Sequence, residues 1–349
     1  MAKEKVDEKK PDERQIREAA REKLKGYCRV CPVCDGRACA GEVPGMGGTG
    51  TGAAFTANLS ALARYRLNLR TIYGAKEPDC SLVLFNKQLA TPILAAPMTG
   101  TPYNMGGALT EREFIGHIIT GSRLAGSLGF CGDGADPAMY DSGLEAIAAE
   151  DGWGIPIIKP RAREAVVERI RRAEEAGAPA VGVDVDGAGL VTMALKGQPV
   201  GPKTKEELAG LVACTRLPFI IKGVMTVDEA ELAVEIGAAA IVVSNHGGRI
   251  LDHTPGAAEV LPAIARAVGK KITVLADGGV RSGVDALKLL ALGADAVLVG
   301  RPLVVGAFGG GAEGVRFFLE KMTAELKQAM ILTGCASLAE VNERVIFAG

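Results

Sequence analysis

The chain has 349 residues, 46 of them glycine, nearly twice the usual share of about 7%. It has no G-X-Y period and is 48% hydrophobic, which excludes collagen and a disordered linker. Forty basic and 41 acidic residues leave a formal net charge of −1, with no basic excess to hold a nucleic-acid backbone.

Residues 1–25 carry nine Lys/Arg and seven Asp/Glu, and the pairing of Glu18 and Glu22 with Arg17 and Arg21 predicts a solvated helix. The opening MAKEKVDEKK has no apolar core of a signal peptide. The apolar stretch Thr91–Thr110 is interrupted by Pro92, Pro97 and Pro102, so no membrane span is expected. These features read as a soluble cytoplasmic protein. Next come Cys28, Cys31, Cys34 and Cys39, spaced C-x2-C-x2-C-x4-C, and the run GEVPGMGGTGTG. Four thiols at this spacing suit an iron–sulfur cluster or zinc, and equally a set of free or redox-active thiols. Residues 1–55 thus read as a charged helix with a Cys/Gly-rich segment, and 56–349 as the main domain.

From about residue 90, short β-branched runs alternate with helical patterns. Strands are expected at Pro92–Ala96, Gly126–Phe130, Ile155–Lys159, Ala180–Asp186, Pro218–Lys222, Ala239–Ser244, Ile272–Asp277 and Asp295–Gly300. Helices are expected between them, for example Ala162–Ala176, Val227–Ile236, Gly256–Val268 and Val284–Leu292. Eight such units predict an α/β fold, a (β/α)8 TIM barrel with an amino-terminal extension; a doubly wound sheet is the alternative.

In such a barrel the working residues follow the strands. The strand ends supply Pro97-Met98-Thr99, Cys131-Gly132-Asp133, Lys159, Asp184 and Asp186, Lys222, Ser244-Asn245-His246, Asp277-Gly278-Gly279 and Gly300-Arg301. Of three histidines, His246 alone directly follows a strand; His117 reads as a helix-face residue and His253 as part of the rim loop. Glycines and the arginines Arg281 and Arg301 after the last two strands occupy the usual phosphate position of this barrel. Gly45-x-Gly47-x-x-Gly50 and Gly309-x-Gly311-x-x-Gly314 match the dinucleotide fingerprint but lie outside a first βαβ unit, so they carry no such reading.

IVVSNHGGRILD (Ile241–Asp252), IKGVMT (Ile221–Thr226), LADGGVRSGVDALKLLALGADAVLVGRP (Leu275–Pro302) and GCASLAEV (Gly334–Val341) resemble the FMN-dependent 2-hydroxy acid dehydrogenases and oxidases, the family of glycolate oxidase, lactate oxidase and flavocytochrome b2. The resemblance is close over 216–341, weaker over 56–186 and nearly absent before. It implies an FMN enzyme that oxidises a 2-hydroxy acid to the 2-oxo acid. His246 matches the base, Asp186 the carboxylate that orients it, Arg249 the arginine that clamps the substrate carboxylate, and Lys222 the lysine beside flavin N1/O2. The expected flavin contacts are Pro97, Met98, Thr99, Lys222, Ser244, Asp277, Gly278, Gly279, Arg281, Gly300 and Arg301. Arg249, His246 and Lys159 form the expected substrate set.

The sequence departs from the family pattern at four places. Ile157 and Lys159 stand where a glutamine and a tyrosine are usual, Met193 where a second substrate arginine is usual, and Pro44 near the position of an amino-terminal tyrosine; the loop Gly187–Pro202 is short. Lys159 is expected to replace part of the missing positive charge. Two other functions fit less of the sequence: a flavin-barrel isomerase like type 2 isopentenyl diphosphate isomerase, and an electron-transfer flavoprotein with an amino-terminal metal cluster. The resemblance also implies a homotetramer, with oxygen, a quinone or a protein as electron acceptor.

Overall fold

The computed structural model describes residues 12–74 and 76–347. Eight parallel strands close into a barrel: β1 Ile93–Met98, β2 Gly129–Gly132, β3 Gly154–Ile158, β4 Val181–Asp184, β5 Phe219–Val224, β6 Ala240–Val243, β7 Thr273–Ala276 and β8 Ala296–Val299. The last strand pairs with the first, Val297 opposite Ile93, so no edge is left. All eight fall within a few residues of the expected strands. The largest offset is at β2, because Gly126 turns with positive φ and Ser127 still donates to the carbonyl of Ser122, delaying the strand.

The strand sequences TVLA, AIVV and AVLV are apolar throughout because both faces are covered. Leu94, Phe130, Ile157, Ile220, Val242, Leu275 and Leu298 fill the barrel interior. The hairpin Leu82–Leu84/Lys87–Leu89 adds Leu84 and Leu89 to that same apolar cluster. The outward residues of the strands pack on the helices in a second, larger cluster. Helix starts are set by side chains: Thr110 and Glu113 form a reciprocal cap for Glu111–Leu124, as do Ser282 and Asp285 for Gly283–Ala291. The helices expected from the sequence are present with ends shifted by one residue, as Arg163–Glu175 and Val227–Glu235. No described helix is long and apolar enough to cross a membrane.

The amino-terminal helix, α1 (Glu13–Lys23), is less solvated than its charges suggest. Ile16, Ala20 and Leu24 form a buried stripe, and the helix lies on the final helix, Arg301–Thr333. Gly309 permits this contact, since a Cβ there would sit 2.0 Å from the carbonyl oxygen of Ile16. The second of the two glycine fingerprints therefore serves helix packing.

Candidate active site

Helix α2 (Ala53–Arg64) builds the floor on which the strand-six loop rests. Its own N-cap, Gly52, has no side chain, so Asp252 reaches from the loop after β6 and accepts from the amides of Thr51 and Ala54, at 2.5 and 3.2 Å. One turn on, Asn58 donates to Asn245 Oδ1 at 2.8 Å and accepts from the amide of Ala257. Asn245 Oδ1 also accepts from the amide of Gly248. The segment Ser244–Arg249 is thereby fixed through buried amides. Gly248 must be glycine, because a Cβ would lie 2.3 Å from the backbone nitrogen of Phe55.

His246 has positive φ, and its amide donates to Ser244 Oγ at 3.0 Å. Its Nδ1 lies 3.1 Å from Asp186 Oδ1 and 3.6 Å from Asp184 Oδ2, while the ring borders the main cavity. Asp186 sits just past β4, in the turn Val185–Gly189, rather than at the strand end. Burial holds His246 well below its ordinary value, against the pull of Asp184. Burial and the charge of Asp184 push Asp186 up. Asp184 itself stays ionised: burial opposes this, but Lys159 and Lys222 overcome it and hold its carboxyl well below the usual range.

Asp184, the best-connected charge in the site, is contacted by Lys159 Nζ at 2.5 Å and by Lys222 Nζ at 3.3 Å. Lys222 also meets Ser244 Oγ at 3.2 Å and Asp277 at 4.0 Å. Asp184, Asp186 and His246 bring ligand atoms within 4.8 Å of one another, yet the flanking lysines oppose a metal ion there. Lys159, expected to meet a substrate, has its charge engaged by Asp184. Beneath it, Asp133 takes the amide of Lys159 and two bonds from Arg161, tying the ends of β2 and β3 together.

The cavity has a volume of about 160 Å3 and is bordered by Pro97, Met98, Thr99, Lys222, Asp277, Gly278, Gly279, Arg281, Gly300 and Arg301. Ser244 stands behind Lys222 and is not on the wall. Two observations fit an FMN here. Asp277 Oδ1 is buried without a hydrogen-bond partner among the described residues, an acceptor suited to a ribityl hydroxyl. Arg301 donates to the carbonyls of Met46, Gly47 and Gly247, and stacks 3.9 Å over the Phe55 ring, with no carboxylate partner among the described residues. Burial first, then Arg281 and Arg249, lower it to about 9, so it remains a cation suited to a phosphate. Asp277→Ala is expected to raise the Kd for FMN by about 10- to 100-fold, the loss of about 1.5–3 kcal/mol from a charge-assisted hydrogen bond. Titration of the apoprotein, followed by quenching of flavin fluorescence, checks this.

Arg249 faces the same cavity. Its guanidinium donates to the carbonyl of Gly45 and to Asn104 Oδ1, and burial lowers it to about 10. Residues from all eight strand ends therefore meet in one place. The four cysteines do not join them; they border a separate cavity. Asn58, Asn104, Phe55 and Arg161 were absent from the expected set, and Asp133 was marked only by its place at a strand end, with no role assigned.

The FMN-dependent dehydrogenase family model matches residues 45–198 and 191–348. The chain belongs to this family. Among relatives of the FMN-dependent dehydrogenase family, L-lactate oxidase of Alicycliphilus denitrificans is 33% identical over 337 residues, covering 85% of this chain and 88% of that protein. The 4-hydroxymandelate oxidase of Amycolatopsis orientalis is 33% identical over 332 residues, covering 84% and 89%. A crystal structure of mandelate oxidase with (S)-2-phenylpropionate superimposes with a TM-score of 0.77 at 31% identity, covering 96% of this chain and 97% of that one. This family member is an FMN-dependent oxidoreductase. Pro97–Thr99, Lys222 and Asp277–Arg281, expected to contact the cofactor, border the cavity.

Proposed function

We propose that the enzyme oxidises a 2-hydroxy acid with an apolar 2-substituent to the corresponding 2-oxo acid. The observation that carries this reading is that His246, held by Asp186, and Arg249 border one cavity. Asp186 holds Nδ1 and leaves Nε2 of His246 for the cavity, where it takes the proton of the substrate hydroxyl. A bound FMN would supply the acceptor for the hydrogen of C2 and its electron pair. Arg249 binds the substrate carboxylate; its protonated fork suits two oxygens. Lys222 supplies fixed positive charge beside the cofactor. Asp184 positions both Lys159 and Lys222, and its charge raises Lys222 against the effect of burial.

The preference for an apolar substituent follows from the place where a second arginine is usual. Met193 is buried there with Leu190 and Ala135, and Leu190, Met139 and Tyr103 border the cavity. Such a wall rejects a second carboxylate, which would be left unpaired. The test is anaerobic mixing of the yellow holoenzyme with a panel of 2-hydroxy acids. Bleaching is expected with aliphatic or aromatic 2-hydroxy acids and not with 2-hydroxy diacids; absence of bleaching across the panel refutes the reading.

A further inference from the structure

Residues 28–39 form no part of the site above, yet they are built as carefully. Arg17 donates to the carbonyl of Cys31 at 2.6 Å and Arg21 to that of Val30 at 3.2 Å, so α1 grips the segment. Arg29 makes two bonds to Glu42, at 2.8 and 2.7 Å. Arg281 donates to the carbonyl of Cys34 at 3.2 Å, joining the segment to the barrel. All four thiols, each half-buried, border one cavity of about 340 Å3. Arg281 and Arg301 stand between this space and the FMN cavity and border both.

We propose that Cys28, Cys31, Cys34 and Cys39 ligate an iron–sulfur cluster in this second cavity. Two considerations lead there. The first is spacing. No three of the four Sγ atoms lie mutually within 4.8 Å. A single zinc ion draws its sulfurs to about 2.3 Å from one centre, hence much closer together. A cluster distributes its thiolates over several irons and suits the wider arrangement. This geometry favours the cluster over the zinc alternative left open by the sequence.

The second consideration is charge. Four thiolates and their irons form an anionic body, and two arginines without carboxylate partners line the cavity. Arg281 Nη2 reaches Cys34 Sγ at 3.5 Å, and the amide of Val30 reaches Cys28 Sγ at 3.4 Å. Donors of this kind stabilise cluster sulfurs.

The proposal rests on the thiols and their cavity, not on the substrate. It is tested on the full chain, produced with added iron and sulfide sources and purified without oxygen. Iron and acid-labile sulfide are measured against FMN, and electron paramagnetic resonance spectra are recorded after dithionite reduction. Iron and sulfide in equal amounts and a reduced-cluster signal distinct from flavin are expected. Cys31→Ser and Cys34→Ser should lose most of the iron and the signal while keeping FMN, and Cys214→Ser, at an exposed thiol, should keep both. Wild-type protein with full FMN but neither iron nor sulfide overturns the proposal, as does one zinc per chain in their place. Iron unchanged in both variants overturns it equally, and the wild-type stoichiometry decides even if a variant fails to fold.

Discussion

Replacing His246 with asparagine is expected to slow reduction of the bound flavin by about 100- to 10,000-fold, the range that a positioned general base contributes. The loss should fall on the rate at saturating substrate more than on substrate affinity, because Arg249 still holds the carboxylate. FMN should remain bound, since its expected phosphate ligands lie on β7 and β8. The pH profile provides the sharper check. Burial holds His246 well below about 6.5, so the free base persists as pH falls past that value. The acid limb of kcat/KM should therefore lie below pH about 6.5 in the wild type. Anaerobic stopped-flow reduction, with the variant and the wild type at several pH values, measures both effects. A variant that reduces flavin at the wild-type rate removes His246 from the proton transfer.

Asp184→Asn should cost about 3–5 kcal/mol of stability, as expected when one member of a buried ion pair is removed and its partner stays charged. Asp184 is 2% exposed, and both Lys159 and Lys222 are oriented on it. The sign with pH follows from its lowered value. The unfolded carboxyl binds its proton near pH 3.9, whereas the folded one resists until well below. Its stabilisation is thus fully present above that pH and is lost as pH falls through the native value. The asparagine variant should lack that acid-limb loss. Urea unfolding midpoints of the holoenzyme, compared at neutral and acid pH, measure it; equal midpoints at neutral pH would show that the pair adds nothing net.

The barrel was legible because most strands are short apolar runs, several of them preceded by a glycine that ends the helix before, as at Gly177, Gly237 and Gly293, and because both faces are buried. The strand ends, in turn, marked His246, Lys222, Asp277 and the two arginines. Other features were not legible for physical reasons. Helix α1 shows its charges plainly, but its short stripe of Ile16, Ala20 and Leu24 matters only once Gly309 is known to admit it. Asn58 and Asn104 act across long sequence separations, on Asn245 and Arg249, and nothing local distinguishes them from surface amides. The ion pair of Lys159 with Asp184 required the neighbouring register of β3 and β4, with Ile157 beside Gly182. Without it, Lys159 reads as a free charge.

The thiol cavity has a wall that runs from Glu13, near the start of the chain, to Glu325, near its end. Synthesis proceeds at about 5–20 residues per second, from the amino terminus onward. The four cysteines therefore leave the ribosome long before Arg281, Arg301 and Met322 exist to enclose them. Closure of the barrel also waits for the last strand to find the first. The thiols are enclosed only when the carboxy-terminal part of the barrel has packed against them, and until then they stand open to solvent and oxidants.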